Sequence, residues 1–305
     1  MRPTPDSDEV VLAFGVDAGY APHLGVVLAS IIDNAPGVSL RVHVLNNGLP
    51  DELRAKVQRC APDAQFHWHN LDDQAVTSLE GSGHISSATY YRLMIPEIVP
   101  QDVHRVIYLD VDLVVTGDIR ELWSLDLHGQ PIGAVADPGV DAQNFADRMD
   151  LPQAENGYFN AGVLVIDLDA LTEDGLRPAI NILRTRREDC PFMDQDALNA
   201  VFWTRWAPVD YAWNIQRVIC MRDDGLAYYA APDIFNPDRR PKIIHFTTQI
   251  KPWHADGYHR FTWKYFQYLK QTPFWRDISK AAELTLIKSL RRRARTWLNW
   301  QTLKP

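Results

Sequence analysis

The stretch Val106-Ile107-Tyr108-Leu109-Asp110-Val111-Asp112 decides how the rest of the chain is read. Four apolar residues in a row suit a central strand of an α/β sheet, and this run ends on two carboxylates. In open α/β sheets, ligands collect at the carboxyl ends of the strands. Two carboxylates placed there repel each other unless a cation lies between them, and hard oxygen ligands suit Mn²⁺ or Mg²⁺. A divalent ion so held bridges the phosphates of a substrate and neutralises charge on a departing diphosphate. The spacing alone is not decisive, because Asp-x-Asp occurs at 6/8, 110/112, 167/169 and 194/196. Asp167 and Asp169 also follow an apolar run, but Ala170-Leu171 comes next, so that pair is expected to cap the following helix.

Outward from that strand, apolar runs at 10–16, 40–45, 132–136, 162–166 and 242–246 read as further strands. Helix-period segments lie between them at 22–34, 51–60, 170–186 and 195–202, the second opened by Pro50-Asp51-Glu52. This alternation predicts an α/β fold with a mainly parallel sheet flanked by helices. An aromatic-rich segment at 258–270 is expected to pack a helix on the core. In His67-Trp68-His69, strand alternation puts both imidazoles on one face, read as a solvated one.

The 305 residues are 46% hydrophobic and 23% charged, which excludes a disordered chain. A net charge of −8 gives no footprint for nucleic acid. The charge is uneven: residues 280–305 carry seven Lys/Arg against one acid, Glu283, so a tail of +6 sits on a body of −14. On a helix, Leu284, Ile287, Leu290, Ala294, Trp297 and Leu298 share one side, with Lys288, Arg292 and Arg295 opposite. That pattern predicts a helical basic extension docking on an anionic membrane surface, with a catalytic unit at 1–272 and a tail at 273–305. Cys60, Cys190 and Cys220 are widely spaced and odd in number, which argues for a reducing compartment. No apolar stretch reaches about 18 residues, and the first apolar run follows acids rather than a basic start. The expected place is therefore cytoplasmic, peripheral at the inner face of the membrane.

Four more segments surround the Asp pair with polar chemistry. Ile85-Ser86-Ser87-Ala88-Thr89-Tyr90-Tyr91-Arg92-Leu93 sets a cation on a helix just before it. Tyr158-Phe159-Asn160-Ala161-Gly162-Val163 puts an amide and two small residues at the mouth of an apolar strand. Phe192-Met193-Asp194-Gln195-Asp196-Ala197-Leu198-Asn199 gathers polar groups at a helix start. Finally, His245-Phe246-Thr247-Thr248-Gln249-Ile250-Lys251-Pro252-Trp253 holds an imidazole and an ammonium six residues apart. Together and in this order, over residues 10–253, they resemble glycosyltransferase family 8, the retaining GT-A enzymes that include bacterial lipopolysaccharide galactosyl- and glucosyltransferases. The resemblance implies a GT-A-type fold and transfer of galactose or glucose, with retention, from a UDP-hexose to a saccharide acceptor.

Position by position, it implies Asp110, Asp112 and His245 as ligands of Mn²⁺ or Mg²⁺. Asp17 resembles a uracil contact, Arg92, Asn160, Ala161 and Gly162 resemble donor-sugar contacts, and Lys251 a diphosphate contact. Asp194 and Gln195 match the catalytic positions beside the donor sugar, and Asp137 and Thr248 the acceptor side. Two positions depart from the family pattern. Gly19 stands where an Asn or Asp is common, and Thr248 replaces the glycine of His-x-x-Gly-x-x-Lys-Pro-Trp. Two other classes compete. The run at 109–115 resembles the nucleophile motif of haloacid-dehalogenase-type phosphohydrolases, although that motif belongs near a domain's start. A non-catalytic glycan- or partner-binding protein has little need of three metal-type ligands.

Overall fold

The apolar runs become the strands of the computed structural model, which describes residues 9–71, 87–153, 156–220, 240–254, 257, 259–282 and 294. The strands are β1 (Glu9–Gly15), β2 (Ser39–Asn46), β3 (Gln65–Asn70), β4 (Arg105–Leu109), β5 (Leu113–Val115), β6 (Ile132–Ala136), β7 (Phe159–Asp167), β8 (Trp206–Pro208) and β9 (Ile243–His245). Seven of them form one sheet in the order β3-β2-β1-β4-β7-β6-β8, while β5 and β9 pair separately. β1 runs parallel to β2 and β4, β2 to β3, and β6 to β8. The sheet is thus mainly parallel, as the alternation predicts, with one reversal: β7 is antiparallel to both β4 and β6.

That reversal positions the site. It lays the start of β7 beside the end of β4, with Leu109 opposite Val163 and the Asp110 amide donating to the Gly162 carbonyl at 2.8 Å. The β5–β9 pair does the rest, setting Leu113 opposite His245 so that a residue 133 positions further along the chain reaches Asp112. Beneath these ends the core is apolar, with Leu12, Phe14, Val44, Ile107, Leu109 and Val165 buried. Helix Ala21–Asn34 covers β1 and opens with Pro22, whose fixed φ suits a first turn. At its Gly25 a Cβ would come within 2.9 Å of the Phe274 ring, so the C-terminal aromatics pack directly on this helix.

Three local expectations change. The helix read at 170–186 is a short turn, Leu168–Ala170, followed by helix Arg177–Thr185. Gly175 at φ +56° and Pro178 in the first helical turn interrupt it. Asp167 does cap, accepting the Ala170 amide at 3.1 Å, but it caps that turn. The His67/His69 face is not simply solvated, because the buried His43 of β2 stacks its ring between them, with centroids at 4.9 and 5.2 Å. No helix among the described residues is long and apolar enough to cross a membrane. Phe274 and Ala282 belong to the main core, and the basic tail beyond them, Ala294 apart, lies outside the described residues.

Candidate active site

Two strand ends and one returning strand bring three metal-type groups together. Asp110 and Asp112 follow β4, and His245 closes β9; one ligand atom from each lies within 4.8 Å of the others. His245 Nε2 is 3.1 Å from Asp112 Oδ1 and 3.7 Å from Asp110 Oδ2. Two carboxylate oxygens and an imidazole nitrogen suit Mn²⁺ well and Mg²⁺ adequately. The backbone is fitted to the cluster too. A Cβ at Gly162 would lie 2.6 Å from Asp110 Oδ2 and 2.2 Å from His245 Cε1, so only glycine leaves the donor atoms room to converge.

Cations of the chain surround this acidic centre. Arg92 is buried and binds Asp110 at 3.1 Å and Asp194 at 2.7 Å, lies over the Tyr108 ring at 4.6 Å, and donates to the Ala161 carbonyl. Burial works against its charge, but Asp110 and Asp194 more than compensate and hold the guanidinium's pKa above its usual value. Lys251 Nζ donates to Asp112 Oδ2 and, at 2.8 Å, to the Phe246 carbonyl. Burial would raise the Asp112 pKa, yet Lys251 and His245 together drive it well below the carboxylate range. Asp194 behaves oppositely. Burial pushes it up to about 6, with Arg92 opposing and Asp110 adding repulsion.

A second set of groups forms a shelf beside the first. Gln195 Oε1 accepts from the Asn160 side chain at 3.1 Å and the Ala161 amide at 3.0 Å, and Gln195 Nε2 donates to Asp137 Oδ2 at 3.3 Å. Asn160 Nδ2 also donates to Asp137 Oδ2 at 3.1 Å. Asp194 and Gln195 open helix Asp194–Phe202, and Met193 just before it is held at φ +52°. Asp196 plays no part in the site: it accepts from Tyr158 Oη and the Phe192 amide and pins that helix start. Asp17 accepts the Tyr20 amide at 3.0 Å, in the turn after β1. Thr248 is exposed in the loop after β9, at φ +80°.

The structure thus joins Asp110, Asp112, His245, Lys251, Arg92 and Asp194 in one cluster and Asn160, Ala161, Gln195 and Asp137 in another, with Gly162 between them. Asp17 lies in a turn whose Tyr20 hydroxyl feels Lys251, Asp112 and Asp110, and Thr248 follows His245 by three residues in the loop after β9. Sequence reasoning misses three residues here. Tyr108 donates to Asp110 Oδ1 at 2.8 Å, and its alternation within a buried strand gives no hint of that. Tyr20 is 36% exposed, edge-on to Trp253, an aromatic surface beside Asp17. Asn214 contacts both His245 and Asn160 from a short turn with no periodic signal.

Known proteins are similar to this chain in sequence and in fold. The chain is 27% identical to general stress protein A of Bacillus subtilis over 87% of its own length and 94% of that protein's. It is also 27% identical to lipopolysaccharide 1,3-galactosyltransferase of Salmonella typhimurium, covering 88% of this chain and 80% of that one. Among solved structures, the galactosyltransferase LgtC in complex with donor and acceptor sugar analogs superposes with a TM-score of 0.71 at 23% identity. That match spans 88% of this chain and 99% of LgtC, a likeness of fold. The sequence profile of glycosyl transferase family 8 matches residues 11–257, taking in every segment of both clusters and leaving the phosphohydrolase reading without support. The chain belongs to glycosyl transferase family 8.

Proposed function

We propose that the protein transfers a hexose, galactose or glucose, from a UDP-hexose to a saccharide acceptor in surface-glycan synthesis, with Mn²⁺ or Mg²⁺ as cofactor and retention at the anomeric carbon. The observation that carries this reading is the Asp110–Asp112–His245 donor set flanked by Lys251. A divalent cation held there offsets charge on the UDP leaving group. Lys251 adds a second positive charge to the diphosphate, and Tyr20 offers its ring to the base beside Asp17. The relative named as a lipopolysaccharide 1,3-galactosyltransferase supports the choice of donor and product class.

For the retaining step, the bonding of the shelf supports attack from the face the leaving group vacates. A covalent intermediate needs a nucleophile with a free lone pair on the opposite face. Gln195 Oε1 already accepts two hydrogen bonds, and Asp194 is buried against Arg92. In the proposed step the bond from the anomeric carbon to the phosphate oxygen breaks while the acceptor oxygen bonds on the same face. The acceptor's proton passes to the departing phosphate oxygen. Asp194 and Gln195 orient the donor, and Asp137 with Thr248 faces the acceptor. The test is a panel of nucleotide sugars incubated with Mn²⁺, with Mg²⁺ or with chelator. Hydrolysis of UDP-galactose or UDP-glucose that chelator removes is expected; turnover unchanged by chelator contradicts the metal role.

We also propose that the basic tail holds the enzyme on the inner face of an anionic membrane. Because Ala282 is buried in the core, the informative truncation ends the chain there. Loss of salt-sensitive vesicle binding with donor hydrolysis preserved is the expected result. A full-length protein that ignores anionic vesicles at low salt contradicts it.

A further inference from the structure

Asn214 is fully buried, immediately after the turn Tyr211–Trp213. Its Oδ1 lies 3.0 Å from His245 Nδ1, and its Nδ2 donates to Asn160 Oδ1 at 2.9 Å. Asn160 has no slack of its own. Its Oδ1 also accepts the Gly162 amide at 3.0 Å, and its Nδ2 donates to Asp137 and to Gln195, each at 3.1 Å. Turning the Asn160 amide over would break all four contacts, so its oxygen faces Asn214 and the Asn214 nitrogen must face that oxygen. The Asn214 oxygen is left for His245, and an amide oxygen only accepts. His245 Nδ1 therefore carries a proton, and Nε2, 3.1 and 3.7 Å from Asp112 and Asp110, is the nitrogen left to ligate a cation between them.

We propose that Asn214 is a positioning residue: it fixes the tautomer of His245 that can ligate a cation, and it ties that ligand to the Asn160–Gln195 shelf that holds the donor sugar. The inference rests on the reading of Asp110, Asp112 and His245 as cation ligands. A metal-bound histidine commonly donates its other N–H to an oxygen acceptor, and loss of that acceptor typically costs 10–100-fold in metal affinity. The amide has a second arm as well, so the two substitutions that separate the arms are informative. Asn214→Ala removes both. Asn214→Asp keeps an acceptor for His245 Nδ1 but presents an oxygen, in place of a donor, to Asn160 Oδ1.

The experiment is Mn²⁺ binding with UDP present, followed by electron paramagnetic resonance, alongside the rate of UDP-hexose hydrolysis at saturating Mn²⁺. Asn214→Ala is expected to weaken Mn²⁺ by about 10–100-fold. Asn214→Asp is expected to bind Mn²⁺ within about 3-fold of the wild type yet hydrolyse donor about 10-fold more slowly, the reverse split of a simple ligand defect. Wild-type Mn²⁺ affinity in Asn214→Ala overturns the inference. So does an Asn214→Asp protein that loses as much affinity as Asn214→Ala, or one that keeps both properties. Because Asn214→Asp is isosteric, it decides the matter even if Asn214→Ala fails to fold. A wild-type protein that binds no Mn²⁺ with UDP present overturns the cation reading itself, a result distinct from all of these.

Discussion

At the scale of single residues, the site works by compensation of charge. Asp110 and Asp112 each have a cationic side chain of the protein against them, Arg92 and Lys251, and share His245. Asp112→Asn keeps the shape of the side chain and removes one anionic ligand. A loss of several kcal/mol of transition-state stabilisation is expected, about 10²–10⁴ in transfer rate. Comparable turnover in the variant would remove Asp112 from the metal site. Gln195 calls for a different outcome. If it orients the donor through Asn160 and the Ala161 amide, Gln195→Ala slows transfer without ending it. Mass spectrometry of the enzyme trapped during turnover should then find no sugar bonded to protein. A hexosyl adduct at position 195 or 194 would replace front-face attack with a covalent route.

At the scale of elements, the parts legible in the sequence are those whose signal is local. The end of β4 and its two carboxylates lie within seven residues, so periodicity and chemistry coincide there. His245, by contrast, is visible only through resemblance, because its approach depends on β5 pairing with β9. The direction of β7 leaves no trace in composition, since a buried strand reads the same either way. Asn214 is hidden for a related reason: a buried amide after a one-turn element has no pattern to betray it. Thr248 is the opposite case, a family glycine position whose conformation the structure supports, at φ +80°. A β-branched residue held there costs on the order of 1–3 kcal/mol, against which glycine loses about 0.5–1 kcal/mol in chain entropy. Thr248→Gly should therefore raise stability by about 1 kcal/mol, read as a shift of the urea midpoint, while Thr248→Ala recovers less. Equal midpoints for threonine and glycine would mean that the loop bears no strain.

At the scale of the whole molecule, the buried histidines govern how the protein meets acid. Burial drives His23 and His259 down to about 3 and His43 to about 4, from 6.5 in the open chain. His23 is stacked on Trp253 at 3.6 Å and bonded to Tyr265, His259 lies against Cys220, and His43 is bonded to His69. Each is neutral in the native state and takes a proton on unfolding. Their contribution is complete above pH 6.5 and is lost as pH falls toward 3–4. Asp194 acts in the other direction. Its native pKa of about 6 exceeds the open-chain 3.8, so the native state takes a proton first as pH falls between those values. Near pH 5 the unfolded chain thus holds three extra protons on these histidines and the native state one on Asp194, a difference of about two. His69, also lowered, and Asp196, also raised, make smaller contributions of opposite sign. Two protons correspond to a slope of about 2.7 kcal/mol per pH unit, steep against a total stability of about 5–15 kcal/mol. The urea midpoint measured in chelator should accordingly fall from pH 6 to pH 4. Calorimetric unfolding at pH 5 in two buffers of different ionisation enthalpy should report an uptake of about two protons. Proton release, or a midpoint that rises toward pH 4, would mean that these imidazoles are not held neutral in the fold.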